Sequence, residues 1–167
     1  IALTTIVLIC LSRLSAYTQV VINEYSASNL SHIADNYDKY EDWMELFNKN
    51  NFNINIGGYY LSDDTDEPLK WKFPAENIML PSGGHIVIWL SGRDESTSGH
   101  FHSNFKLTQT KENAEWLILS DASGILLEQF QIEITQKDHS RGRINDGVNE
   151  WGVFTNPTPG TDNDNAE

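Results

Sequence analysis

Residues 42–48 read Asp-Trp-Met-Glu-Leu-Phe-Asn, and the fold turns on how they are taken. With side chains alternating at period two, Trp43, Glu45 and Phe47 share one face, and Asp42, Met44, Leu46 and Asn48 share the other. Neither face is wholly polar. The stretch therefore predicts a strand covered on both sides, in the middle of a sheet, with Met44 and Leu46 in the core. Asp42 and Glu45 lie inside it. A carboxylate near a core stays charged only when it is paired or hydrogen-bonded. This strand is thus expected to be the hub of a polar network that ties the fold together.

Further strands are predicted on either side. Residues 20–25, V-V-I-N-E-Y, are β-branched and aromatic. Residues 26–41 are polar and read as a long loop or short helical turn. Five asparagines within residues 48–55 suit turns. Strands follow at 59–62, at 70–73 with Trp71 and Phe73 on one face, and at 85–90, H-I-V-I-W-L. Residues 91–99 read as a polar loop, and Phe105 and Leu107 as a short strand. Lys111-Glu112-Asn113 reads as a hairpin turn between that strand and the next, 115–120. Residues 125–134 and 151–154 complete the set. No segment of ten residues holds an apolar spacing of 3.6, and Gly, Pro, Asn or Asp separates the runs. The pattern predicts an all-β protein, a sandwich rather than a propeller.

The 167 residues make room for one domain, and 39% apolar content with five Trp fills one core. The net charge of -13 repels phosphate backbones and anionic lipids, which argues against nucleic acid as a partner. Residues 1–12, I-A-L-T-T-I-V-L-I-C-L-S, are apolar but too short for a stable membrane span. They match the core of a secretory signal peptide occupying residues 1–18, truncated at its N-terminus, with Ala16-Tyr17-Thr18 giving a cleavage site before Gln19 and Ala16 itself as the alternative. A lipid anchor at Cys10 is disfavoured by Ile9, which stands where a small residue is wanted. Removing the leader removes Cys10, the only cysteine, so the mature domain is expected to be exported and free of disulfides. Its location is expected to be extracellular or at the cell surface. Residues 162–167 read as the start of an acidic linker to further domains.

Several segments come in a recognisable order. They are Asn23-Glu24, D-W-M-E-L-F-N at 42–48, G-G-Y-Y-L-S-D at 57–63 and K-F-P at 72–74. L-P-S-G-G-H-I-V-I-W-L-S-G at 80–92, N-F-K-L at 104–107 and L-S-D-A-S-G at 119–124 follow. S-R-G-R at 140–143 and T-P-G at 158–160 close the set. Together, over residues 19–161, these resemble the lamin tail domain in its exported bacterial form. The resemblance implies an immunoglobulin-like β-sandwich with no catalytic residues of its own. In nuclear lamins such a domain binds proteins and has been linked to DNA and chromatin. In bacterial proteins it is similar to accessory modules beside nucleases, phosphatases, or kinase-like domains related to spore-coat protein H. The acidic charge here departs from what DNA contact needs.

Asn23, Glu24, Asp42, Glu45 and Asn48 are the polar residues most deeply set in apolar strands. They admit a catalytic or metal-binding reading. The structural reading is preferred, in which they bind backbone N–H groups and the guanidinium of Arg141 or Arg143. The acids of Asp63, Asp64, Asp66 and Glu67 share one turn but lack EF-hand spacing, so neither calcium nor any other cofactor is expected. His85, His100, His102 and His139 read as isolated surface histidines, since zinc needs three or four converging ligands. Asp138-His139-Ser140 cannot converge as a triad, and no G-x-S-x-G elbow is present. Tyr59, Tyr60 and Trp71 are expected to be the exposed aromatics and the possible binding surface. These features describe a non-catalytic interaction module whose partner is another protein or a neighbouring domain. A polysaccharide-binding module is the alternative, and an accessory domain of an enzyme is a third reading.

Overall fold

The computed structural model describes residues 20–109 and 115–166; the predicted leader and the predicted turn at 111–113 lie outside the described residues. Thirteen strands form within them and no helix. In chain order they are β1 (Val20–Ser26), β2 (Asp42–Asn48), β3 (Ile54–Asn55), β4 (Tyr60–Ser62), β5 (Trp71–Lys72), β6 (Met79–Leu80) and β7 (His85–Leu90). β8 (Glu95–Thr97), β9 (His100–His102), β10 (Trp116–Ser120), β11 (Leu126–Gln131), β12 (Ser140–Arg143) and β13 (Trp151–Phe154) follow.

The larger sheet runs β13-β12-β1-β2-β7-β9-β8, and the smaller runs β11-β10-β4-β5. β3 and β6 make a separate two-stranded ribbon. Every pairing is antiparallel except β7 with β9. Met44, Leu46, Ile22, Ile88 and Leu90 from the larger sheet meet Leu61, Trp71, Leu117 and Leu119 from the smaller one in a single apolar core. Each such side chain contributes roughly 1.5–3 kcal/mol by leaving water. The result is an immunoglobulin-like β-sandwich.

β2 is the middle strand of the larger sheet. Met44 and Leu46 enter the core, and on the alternate positions Trp43 and Glu45 are also fully buried. The second face is covered in part by the segment after β13: Gly160 N–H donates to Glu45 and Thr158 N–H to Glu24. A strand without a purely polar face is what such double cover requires.

Three differences from the sequence reading stand out. Phe105 and Leu107 are buried but form no strand; the pairing falls instead at β8 and β9, within and just after the predicted loop. β8 is polar because it is the sheet edge, held by backbone bonds to β9, so it carries no hydrophobic alternation. β12 is a strand between β1 and β13, although its sequence Ser-Arg-Gly-Arg shows no apolar pattern. Its polar side chains point into polar partners described below. Residue 163, assigned by sequence to a linker, is nearly fully buried: Asn163 Nδ2 donates to the Arg143 carbonyl at 2.7 Å.

Candidate functional site

The polar residues of the larger sheet start from a bulge. The register between β1 and β2 shifts between Ile22 and Glu24, leaving Asn23 as the extra residue. Asn23 Nδ2 bridges two acids, donating to Glu45 Oε1 at 3.0 Å and to Asp146 Oδ1 at 2.8 Å. Its Oδ1 accepts the Gly147 N–H at 3.1 Å. Beyond the bulge, Glu24 sits directly opposite Glu45 on the neighbouring strand. Like charges so placed repel.

Both glutamates are fully buried and surrounded by donors. Glu24 accepts from Ser140 Oγ, from Thr158 N–H at 3.1 Å and from Thr158 Oγ at 2.8 Å. Glu45 accepts from Asn23 and from Gly160 N–H at 2.6 Å. Burial outweighs these bonds: it raises Glu24 above the ordinary carboxylate range and pushes Glu45 up to about 8, with the neighbouring acids adding to the rise. Burial likewise pushes Asp42 up to about 6, and its one compensating donor is the Asn29 N–H at 3.3 Å.

The arginines do not reach these acids. Arg143 grips Glu128 of β11 and donates from Nε to the Ile22 carbonyl at 2.8 Å, while its guanidinium lies over the Trp151 ring. The other Glu128 oxygen accepts the Ile22 N–H at 2.8 Å. The β1–β12 ladder stops at the Glu24–Gly142 pair. Arg143 and Glu128 thus satisfy the strand backbone where its partner strand has ended, and join the two sheets. Arg141 pairs with Glu133 at 2.9 Å. Asn48 stands apart, donating to the carbonyls of Leu80 and Pro81 and holding the turn before β7. Asn23, Glu24 and Glu45 therefore converge, with Arg143 alongside through Ile22, while Asp42, Asn48 and Arg141 serve other contacts.

Trp71 is not an exposed platform. It is 3% exposed and packs edge-on against Phe73 with ring centres 4.8 Å apart. Its face of β5 turns into the sandwich, so the alternation that pairs it with Phe73 decides against a surface role. Tyr59 and Tyr60 are half-buried, and Lys72 Nζ lies 4.9 Å above the Tyr60 ring. The Asp63 carboxylate binds Lys70 at 2.7 Å, and Asp64 accepts the Asp66 N–H, so this turn spends oxygens internally. His102 is buried with both ring nitrogens bonded, to Ser91 Oγ and Asn36 Oδ1. His85, expected at the surface, is a correction: its side chain is 7% exposed, stacks on Phe47 and faces Asp146 at 3.2 Å. No local pattern could have revealed that, because the partners lie far apart in sequence.

A groove of about 350 Å³ opens along one flank of the sandwich, between β11 and the β12–β13 pair. Its lining includes Tyr25, Phe130 and Trp151, whose ring centres are 4.9–6.0 Å apart, and the pairs Arg143–Glu128 and Arg141–Glu133. β11 and β13 are each the last strand of their sheet, so the groove runs between two strand edges. No local pattern marks it, since it is made by the meeting of two sheets.

A family model for the lamin tail domain matches residues 13–133. The chain belongs to the lamin tail domain family. That family is an immunoglobulin-like interaction module without catalytic machinery of its own, in keeping with a fold whose buried acids are surrounded by backbone and hydroxyl donors. Over 95 residues the chain is also 32% identical to the uncharacterized protein YvnB of Bacillus subtilis (strain 168), an alignment covering 53% of this chain. The aligned part is 7% of the length of YvnB. The lamin tail match ends at 133, yet β12 and β13 complete the larger sheet. No described helix is long and apolar enough to cross a membrane.

Proposed function

We propose that this lamin tail domain is a docking module of a larger, exported protein, and that it holds an extended segment of a neighbouring domain or partner protein in the groove between β11 and β13. The observation that carries this reading is the groove itself: an aromatic floor flanked by ion pairs and bounded by two strand edges. Strand edges recruit an extended chain through backbone hydrogen bonds, and aromatic side chains supply apolar anchor area. Exposed Gln129 and Gln131 alternate with half-buried Phe130 along β11, and all three line the groove. Export is supported by the apolar leader-like run at residues 1–12. The polysaccharide reading loses its main support with the burial of Trp71.

The test is photo-crosslinking in the native cell, with a benzophenone amino acid at Gln129 or Gln131 of the full-length protein and a control at exposed Ser82. Crosslinks from 129 or 131 to another domain of the same chain or to a second protein, absent from 82, are expected. Crosslinks from 82 alone, or none from β11, would refute the groove as the docking site.

A further inference from the structure

The face of the larger sheet away from the core holds a second constellation, built on residues that do not line the β11–β13 groove. His85 begins β7, Asp146 lies in the loop between β12 and β13, and Asp162 lies in the segment beyond β13. One ligand atom from each of the three lies within 4.8 Å of the other two. Asp146 is held in place by Asn23 Nδ2 and by the Asn163 N–H at 3.1 Å. His85 is fixed by its stacking on Phe47, ring centres 4.9 Å apart. Glu45 Oε1 lies 3.9 Å from His85 Nε2.

The second observation is independent of the acids. The His85 side chain is 93% buried, its exposure being 7%, and its Nε2 makes no hydrogen bond although Asp146 Oδ1 lies 3.2 Å away, off the line of a ring N–H bond. A buried imidazole nitrogen without a hydrogen bond is costly to leave so. A cation between the ring and the carboxylates removes that cost and the repulsion among the acids together.

We infer that His85, Asp146 and Asp162 form a binding site for a zinc-class divalent transition ion, which clasps the segment after β13 to the sheet. Donor chemistry selects the ion. An imidazole with two carboxylates suits zinc and its neighbours, whereas calcium takes six to eight oxygens and magnesium keeps water and oxygen ligands. Geometry agrees. Ligand atoms bonded to zinc at about 2.0–2.2 Å stand roughly 3.3–3.6 Å apart in a tetrahedron, and the His85–Asp146 separation is 3.2 Å. Asp162 is exposed, so the site is reached from solvent and leaves a coordination position for water. Two of the three ligands lie beyond residue 133, outside the part of the chain matched by the family model. The site rests on different residues from the docking groove, and each stands or falls without the other.

The experiment loads chelator-treated full chain with zinc, and separately with cobalt(II) as a spectroscopic probe. One equivalent bound per chain is expected, with visible cobalt bands of a four- or five-coordinate nitrogen–oxygen site and a rise in melting temperature on adding zinc. Asp162→Asn is expected to weaken zinc binding at least tenfold while leaving the metal-free melt unchanged, because that side chain is exposed. His85→Gln is expected to abolish the cobalt bands, and His100→Gln to leave them intact. Substoichiometric binding, binding only at millimolar zinc, or affinity unchanged in Asp162→Asn would overturn the assignment. So would a calcium-induced rise in the melt that zinc does not match.

Discussion

Arg143 shows how much one side chain can carry here. It is 2% exposed and serves Glu128, the Ile22 carbonyl, the Val148 carbonyl and the Trp151 ring at once. Arg143→Ala leaves the Glu128 carboxylate without its cation and the Ile22 carbonyl without its donor. Removing one partner of a buried pair costs about 3–5 kcal/mol, which for a domain of this size lowers the melting temperature by roughly 10 °C. Calorimetry on the variant checks this, and an unchanged melt would show that the pair holds nothing. Asp42 offers a test of opposite sign. Burial pushes it up to about 6 from an ordinary 3.8, with Glu41 and Glu115 adding to the rise and Lys106 opposing it. Between those values the folded chain keeps a proton that the unfolded chain has released. Its contribution is therefore fully present below about pH 4 and lost as pH rises through about 6. Asp42→Asn keeps an acceptor for the Asn29 N–H without the charge. The variant is expected to melt above the wild type at pH 8, with the gap narrowing through pH 5 and closing only below about pH 4; a gap that does not change with pH would refute the buried-acid account.

At the scale of elements, β2 and β12 mark the limits of what the sequence discloses. β2 was legible because both its faces carry apolar residues, and it is the central strand with the predicted bounds. β7 was legible for the same reason. β12 was not, since its chain reads Ser-Arg-Gly-Arg and a strand whose partners are polar has no hydrophobic period to show. The polar residues Asn23, Glu24 and Glu45 could be picked out by their apolar flanks. Their partners could not, because Ser140, Thr158 and Gly160 come from over a hundred residues away. The middle of β12 yields a prediction. A Cβ on Gly142 would stand 2.9 Å from Asn163 Nδ2, Glu24 Cγ and Phe154 Cε2. All three are buried parts of the packed network, so none has room to yield. Gly142→Ala is expected to destabilise the fold by about 1–3 kcal/mol, the usual range for overpacking. Chemical denaturation reads it directly; a variant as stable as wild type would mean the network is loose.

For the whole molecule, the question is where the folding unit stops. The family match ends at residue 133, but β12 lies between β1 and β13, and without it β1 becomes an edge. The segment beyond β13 then supplies donors to the two facing glutamates through Thr158 and Gly160, and Asn163 closes over Arg143 and Asn23. A chain of residues 20–133 would lose Ser140, Thr158 and Gly160 as donors to Glu24 and Glu45, along with Arg143 from Ile22 and Glu128. Orphaning such groups costs about 1–3 kcal/mol each, more for charged ones, against a total stability of about 5–15 kcal/mol for an ordinary domain. Residues 20–133 are therefore expected to show no cooperative melt. Residues 20–154 regain β12 and β13 but leave the glutamates short of donors, so they should melt, at a lower temperature than residues 20–163. Tryptophan fluorescence against urea orders the three, since buried Trp43 and Trp71 are common to all of them. Equal midpoints for 20–154 and 20–163 would mean that the last segment lies on the sheet without holding it. A cooperative transition in 20–133 would mean that the larger sheet closes without the strands that here complete it.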